Sequence, residues 1–362
     1  MPFSSNYSFV DRALHYFAFG APFVQKVLCE LENDLFKSEL EQVDSSDEVF
    51  VTGLPRAGTT LVLELLYRTG EFATLTYRDM PFILAPLLWD KISGPLRKAG
   101  EKVERAHGDG MLVSFESPEA FEEVVWLAFL RRSIVNERTL SPVARTAVTD
   151  EFAGALQGSV RKLLLRRARA PAGATRPRYL SKNNANISRV AVLSQLFPTA
   201  KILIVFREPA AQIASLMTQH RRFLAEHDAD GFSKRYMEWI GHYEFGANFR
   251  PINFSGWLDG QPVPSVPDAD FWLRYWNAAY GYALEQRTGN VLFVDFDKLL
   301  AQSDAVLGRL ADALGLAEKT KLAAAGAALR APTTTPVELD GCSVESRRAA
   351  QDIHAQLRSL AL

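Results

Sequence analysis

Cysteine is scarce in this sequence: only Cys29 and Cys342 occur among 362 residues. The two lie too far apart along the chain to form a metal-binding motif or a disulfide framework. We therefore expect a protein that works in a reducing compartment.

An excess of charge of either sign is also missing, because 41 Lys and Arg residues balance 42 Asp and Glu residues to a net charge of −1. A chain this close to neutral has no general field that attracts nucleic acid or a membrane surface. Any basic site must be local, and no nucleic-acid partner is expected. The oligomeric state stays open.

Long apolar runs are missing as well. The sequence has no uninterrupted apolar stretch of about 18 residues, so no transmembrane helix is expected. Its first residues lack a basic stretch followed by an apolar run, so no secretory signal is expected. Hydrophobic residues make up 48% and charged residues 23%, which is ordinary for a globular protein. The sequence therefore predicts a soluble, cytoplasmic protein.

Short apolar and β-branched runs alternate with helical patterns along the chain. The runs at 48–52, 178–181, 201–206 and 291–294 are typical of buried strands. Strands separated by helices pair in parallel, and the helices cover both faces of the sheet. The predicted fold class is α/β, with a central parallel sheet flanked by helices.

No linker divides the chain into halves, so we expect a single domain over 1–362 with three helical additions. An amphipathic N-terminal segment covers 1–45, and a C-terminal helical segment covers 316–362. A helical insertion covers 79–176, and we expect it to shape a substrate pocket.

The strongest local motif is the loop Gly53-Leu54-Pro55-Arg56-Ala57-Gly58-Thr59-Thr60, which has the G-x-x-x-x-G frame of a Walker A loop between a strand and a helix. Backbone N–H groups and a helix N-terminus form an anion site there. Thr59 replaces the Walker lysine, and the cation lies inside the loop at Arg56. A nucleoside triphosphatase needs that lysine, so the loop favours a different anion and no metal requirement. The alternative is a turn with a solvated Arg56.

A second signal follows the apolar strand at 201–206. Arg207 lies at its carboxyl end, where open α/β sheets bind ligands, and Ser215 comes eight residues later in the next helix. Both side chains could face one phosphate. The alternatives are an ion pair between Arg207 and a nearby acid such as Glu208, and a serine on the helix surface.

Together these motifs resemble the sulfotransferases that use 3′-phosphoadenosine 5′-phosphosulfate (PAPS). Pro55-Arg56-Ala57-Gly58-Thr59-Thr60 is similar to their 5′-phosphosulfate loop, and V-F-R-E-P-A-A-Q-I-A-S, ending at Ser215, is similar to their 3′-phosphate element. The order around Tyr179-Leu180-Ser181-Lys182 and V-L-F-V-D-F-D-K-L-L at 291–300 also matches. The resemblance implies a three-layer P-loop-type fold and sulfonate transfer to a hydroxyl or amine.

The resemblance also implies roles for matching residues. Arg56 and Lys182 would stabilise the transferring sulfonate and the leaving phosphate, although Lys182 could instead be a surface residue. Phe296 occupies the place of a tyrosine that contacts the donor, and Arg330 is the nearest match to a basic loop of the 3′-phosphate site. The donor-binding set implied is Arg56, Ala57, Gly58, Thr59, Thr60, Leu61, Arg207, Ser215, Phe296 and Arg330.

The general base does not follow the family pattern. Asn184 stands where many cytosolic members have a catalytic histidine, and an amide cannot accept the proton. Asp79 follows the loop at about the separation of the carboxylate in tyrosylprotein-type members. Its alternative role is the N-cap of a helix beginning at Met80-Pro81. His107, which precedes Gly108 and Gly110 in H-G-D-G, is the other candidate base, and a solvent-exposed loop histidine is its alternative.

Other acids and aromatics have simpler interpretations. Glu119, Glu122 and Glu123 are predicted in the first turn of a helix that starts at Ser117. Aromatic residues crowd the region 245–276, where they either line an acceptor pocket or pack in the core.

Two other functions remain open from the sequence. A P-loop kinase or nucleotidase would use Asp295 as its magnesium acid, and a non-catalytic protein would keep the nucleotide site alone. The acceptor class is also open among carbohydrates, lipid-linked glycans, peptides and small molecules.

Overall fold

The computed structural model describes residues 7–93, 103–104, 112–113, 117–170, 176–327, 329 and 335–362. Its centre is a parallel sheet of five strands in the order β2-β5-β1-β6-β7, and a two-stranded antiparallel hairpin, β3-β4, lies apart from it. The strands are β1 (Val49–Thr52), β2 (Phe72–Ala73), β3 (Val103–Glu104), β4 (Leu112–Val113), β5 (Arg178–Lys182), β6 (Lys201–Phe206) and β7 (Val291–Asp295).

Helices connect and cover these strands. They are α1 (Phe9–Gly20), α2 (Pro22–Leu35), α3 (Lys37–Leu40), α4 (Thr59–Tyr67), α5 (Pro86–Ser93), α6 (Glu123–Ile134), α7 (Asp150–Arg169), α8 (Val190–Leu196), α9 (Pro209–Ala229), α10 (Gly231–Trp239), α11 (Ala269–Glu285), α12 (Phe296–Ala301), α13 (Ser303–Leu314), α14 (Lys319–Gly326) and α15 (Val344–Leu360).

Two buried clusters lie on opposite faces of the sheet. On β1, Val49 and Val51 pack into one cluster, while Phe50 between them packs into the other. Successive strand residues point to opposite faces, so a strand covered on both sides is apolar throughout. This confirms the predicted α/β fold with helices on both faces of a parallel sheet.

The register brings the carboxyl ends of the central strands to one edge. Val51 pairs with Lys182 of β5, and Thr52 pairs with Ile204 of β6. After β1 the chain crosses to β2, and after β5 it crosses to β6 on the other side of β1. Ligands of open α/β sheets bind where the crossing direction changes, so the carboxyl end of β1 is the expected site.

Some helix boundaries differ from the sequence prediction. The helix expected from Ser117 begins at Glu123, because Pro118 forms a β-bridge with Thr76 instead. The predicted helix over 297–314 is two helices separated at Gln302. The insertion over 79–176 contains the hairpin β3-β4 besides helices α5, α6 and α7.

The N-terminal helices are confirmed, but several apolar positions predicted to be buried face outward. Phe17 on α1 is 59% exposed, and on α2 Val27 is 54% and Leu35 61% exposed. The apolar spacing thus identified the helices without identifying their buried face. No helix within the described ranges has the length and hydropathy needed to cross a bilayer.

Candidate functional site

The loop between β1 and α4 has the geometry of an anion site. Arg56 has a φ of 69° and Gly58 a φ of 96°, so two left-handed residues turn the backbone amides toward one concavity. The first N–H groups of α4 have no acceptor within the helix, and they point the same way. Gly53 is required for a close approach, because a Cβ there would lie 2.2 Å from the Val205 carbonyl oxygen.

Helices α9 and α11 hold this loop in place. The Gln212 Nε2 donates to the carbonyl oxygens of Leu54 at 3.3 Å and Pro55 at 3.0 Å. The Trp276 indole donates to Gln212 Oε1 at 3.0 Å, and the Tyr280 hydroxyl donates to the Val205 carbonyl at 3.0 Å. Burial raises the pKa of Tyr280, so its hydroxyl stays protonated and keeps donating.

The sequence analysis did not single out this support. One signal was available, since Gln212 lies three residues before Ser215 and therefore shares its face of α9. Gln212 is fully buried. A buried amide must form hydrogen bonds within the protein, and on a helix that follows a strand next to β1 the loop carbonyls are acceptors within reach.

Arg56 and Ser215, predicted to serve different phosphates, are in contact. The Arg56 Nε donates to Ser215 Oγ at 3.0 Å, across 159 residues of sequence. Ser215 is buried, so the interpretation as a surface serine is wrong. The contact joins the phosphate loop to α9.

Arg207 is a buried cation at the end of β6, only 6% exposed. Its Nε has no hydrogen-bond partner among the described residues, and the nearest acidic oxygen is Asp297 Oδ1 at 3.6 Å. The acid paired with Arg207 is thus Asp297 rather than Glu208, because the Glu208 carboxylate accepts from the N–H groups of Ala210 and Ala211 at the start of α9.

Phe296, the first residue of α12, packs against the loop. A Cβ added to Gly58 would lie 2.2 Å from the Phe296 ring, and the Arg207 guanidinium lies 5.8 Å from the ring centroid. Phe296 therefore lies beside both predicted anion-binding elements.

Lys182 and Asn184 lie beside the loop on its other side. Lys182 ends β5 in register with Val51 and is 7% exposed, so it is not a surface lysine. Asn184 Oδ1 accepts from Thr59 Oγ1 at 3.1 Å, and its Nδ2 donates to Glu244 Oε1 at 3.3 Å. The structure thus connects the start of α4 to Glu244, a residue the sequence analysis missed.

Asp79 lies in a fixed structural arrangement. It is 1% exposed, and one oxygen accepts from the Thr76 backbone N–H at 2.8 Å and from the Thr76 hydroxyl at 3.2 Å. The Arg166 guanidinium bonds to both of its oxygens. Thr76, rather than Asp79, is the N-cap of a short 3₁₀ turn, and Met80 is extended, so no helix begins at Met80-Pro81. These contacts favour the structural alternative for Asp79.

Glu123 lies in the first turn of α6, as predicted, and Glu122 is its N-cap residue; both are buried in a hydrogen-bond network. Glu123 accepts from the Arg189 guanidinium at 2.5 and 2.8 Å and from the Asn183 amide at 2.8 Å. Glu122 accepts from the Tyr179 hydroxyl at 3.0 Å. Their partners lie about 60 residues away in sequence, so no local pattern could identify them.

Three candidates from the sequence remain: His107, Arg330 and Asp295. His107 and Arg330 lie outside the described residues. Asp295 accepts from the Lys298 N–H as the N-cap of α12. Among the described residues, no group of three or more His, Cys, Asp or Glu side chains is placed to hold a metal ion.

Comparisons with known proteins identify the family of this chain and its fold. A profile described as the sulfotransferase family matches residues 48–250. A search of curated proteins found no match. Among solved structures, a sulfotransferase from Mycobacterium tuberculosis aligns with a TM-score of 0.51 at 15% identity, covering 93% of this chain and 84% of that one. A sulfotransferase from Mycobacterium avium gives 0.51 and 15%, covering 91% and 80%. At this identity the two structures show the shared fold.

Proposed function

The chain belongs to the sulfotransferase family, and we propose that it transfers the sulfonate group of PAPS to a hydroxyl or amine of an acceptor. The observation that carries this proposal is the presence of two anion-binding elements at one sheet edge. One is the loop with Arg56, and the other is the buried Arg207 with its unpartnered Nε.

This pair of elements fits a donor with phosphate groups at both its 5′ and 3′ positions. The loop amides, including that of Thr59, the Thr60 hydroxyl and Arg56 would hold the 5′ side, since the Thr59 hydroxyl donates to Asn184. Arg207 and Ser215 would hold the 3′-phosphate, because a buried arginine whose acidic neighbour, Asp297, lies at 3.6 Å can still gain a shorter charge-assisted bond. The Arg56–Ser215 contact, at 3.0 Å, supports one continuous site.

Each charged residue then has a separate task. When bound, PAPS supplies a sulfonate on a phosphate leaving group. Arg56 and Lys182 would stabilise the negative charge that develops on the leaving oxygen, an electrostatic contribution that is strong where water is excluded. The Walker lysine position is Thr59, so the site would act without a divalent metal.

A thermal-shift panel tests this donor assignment. We expect adenosine 3′,5′-bisphosphate to raise the unfolding midpoint more than ATP or ADP, with no change on adding magnesium or EDTA. Ligand at about 100 times its Kd stabilises the native state by about 2.7 kcal/mol. A larger shift with ATP and magnesium would contradict the proposal.

Arg207→Ala tests the 3′-phosphate assignment. We expect bisphosphate binding to weaken by about 1.5–3 kcal/mol, while binding of adenosine 5′-monophosphate stays unchanged. Arg221→Ala is the matched control, because Arg221 is exposed on α9. Isothermal titration calorimetry measures all three proteins, and equal losses for both nucleotides would refute the assignment.

A further inference from the structure

A pocket opens directly beside the phosphate loop. Leu54 and Pro55 of the loop form one wall, and the segment after α10 forms another with His242, Tyr243 and Glu244. The residues proposed to bind the donor include none of this second wall. A group placed in the pocket would contact the loop from the side of Asn184.

The Glu244 carboxylate is oriented toward the loop by one amide. Asn184 Oδ1 accepts from the Thr59 hydroxyl at 3.1 Å, which leaves its Nδ2 to donate to Glu244 Oε1 at 3.3 Å. Thr59 is the first residue of α4, where the anion site begins. Glu244 thus lies one side chain away from the residue that would hold the donor's 5′ side.

Part of the polar lining is satisfied within the protein: Glu123 is bonded to Arg189 and Asn183. Buried polar groups that are satisfied internally present little hydrogen-bonding capacity to a ligand. The Tyr243 hydroxyl has no hydrogen-bond partner among the described residues, and Arg250 adds a cation. Much of the rest of the lining is apolar or aromatic and includes Leu140, Ile252 and Tyr275. The pocket therefore favours an apolar or aromatic body.

Glu244 differs from Glu123 in its exposure and in its remaining hydrogen-bonding capacity. It is partly exposed, and among the described residues it accepts one hydrogen bond, from Asn184. A carboxylate has two oxygens and about four acceptor positions, so one bond leaves capacity for a ligand hydroxyl.

We infer that this pocket is the acceptor site, that it takes a hydroxyl carried on a largely apolar or aromatic group, and that Glu244 accepts its proton. The inference rests on the proposed function. The acceptor oxygen forms a bond to sulfur as the bond from sulfur to the bridging phosphate oxygen breaks. The hydroxyl proton passes to the Glu244 carboxylate, and adenosine 3′,5′-bisphosphate leaves with the electron pair.

The experiment uses full-length protein with PAPS and a fixed acceptor panel: 2-naphthol and cyclohexanol as apolar hydroxyls, glucose and trehalose as polar ones. Mass spectrometry detects sulfonated products. We expect product from an apolar member, and Glu244→Gln should lower its kcat by about 10²- to 10³-fold. Glutamine keeps the acceptor oxygen for Asn184, so the unfolding midpoint and the Kd for the bisphosphate should stay unchanged.

Two further variants make the result specific. Glu238→Gln is the control, because Glu238 lies on α10 near the same segment and pairs with exposed Arg131 at 3.3 Å. It should keep wild-type turnover. Glu244→Asp should recover part of the lost kcat, since it restores a carboxylate.

Three outcomes would overturn the inference while bisphosphate still binds: normal turnover in Glu244→Gln, loss of turnover only in His242→Gln, or no product from either apolar hydroxyl. Failure of the bisphosphate to bind the wild-type protein would instead refute the proposed function.

Discussion

At the scale of single residues, Asp79 shows how a candidate base can be held by its surroundings. Both carboxylate oxygens are engaged, by Arg166 on α7 and by Thr76 at the start of the 3₁₀ turn. A carboxylate that accepts a proton in the reaction would have to give up part of this bonding. The arrangement therefore stabilises the fold at the beginning of the insertion.

Asp79→Asn should destabilise the protein. If Asp79 only capped a helix, asparagine would replace it with little change in stability. The amide leaves the largely buried Arg166 without its counter-charge, at a cost of about 2–4 kcal/mol. Urea denaturation measures the loss. Asp90→Asn is the matched control, because the Arg78–Asp90 pair is more exposed and should contribute about 1 kcal/mol or less.

Turnover separates the two roles of Asp79. If the carboxylate is structural, folded Asp79→Asn protein keeps its kcat at saturating donor and acceptor. A fall of about 10²-fold or more in kcat without loss of stability would instead assign the proton transfer to Asp79.

At the scale of secondary structure, α9 is the element that organises the proposed donor site. It begins directly after Arg207 and presents Gln212 to the loop carbonyls and Ser215 to Arg56. A rigid helix that contacts the loop at two points fixes the loop before ligand arrives, which lowers the entropic cost of binding.

Gln212→Leu tests this support. The change leaves the Pro55 carbonyl and the Trp276 indole without their Gln212 partner, while the Leu54 carbonyl keeps its bond from the Ala57 N–H, so we expect a loss of about 2–4 kcal/mol in unfolding free energy. Bisphosphate affinity should fall as well, since the loop is no longer held. Thr218→Leu, at an exposed position of α9, adds a similar side chain and should change neither. Unaltered affinity in folded Gln212→Leu protein would show that the loop holds its shape unaided.

Elements defined by local patterns were predictable from the sequence. The strand at 201–206 matches β6 residue for residue, because a continuous apolar run needs two covered faces to be stable. The loop between β1 and α4 followed from its glycine spacing. By contrast, Glu123 accepts a hydrogen bond from Arg189, and Glu244 accepts one from Asn184. Each donor is distant in sequence from its acceptor. Partners of this kind depend on tertiary packing, so no local pattern indicates them.

At the scale of the whole molecule, one buried carboxyl group directly before β1 should make the free energy of unfolding depend on pH. Glu48 immediately precedes β1, is 1% exposed, and neither of its side-chain oxygens has a hydrogen-bond partner among the described residues. Burial raises the pKa of Glu48 to about 7, and the nearby Asp47 and Asp44 carboxylates act in the same direction.

This shift predicts a pH dependence of a definite sign. The folded state binds a proton at Glu48 that the unfolded chain releases above its ordinary pKa of 4.5. The stability that the protonated group contributes is therefore complete below pH 4.5 and is lost as the pH rises through about 7. Glu48→Gln has no such proton to lose, so its stability relative to wild type should increase over this range by roughly 1–3 kcal/mol.

Urea denaturation at pH 5 and pH 8 measures the difference, with exposed Glu41→Gln as the control. A difference between Glu48→Gln and wild type that does not change with pH would mean that Glu48 is already ionised in the folded protein at pH 5.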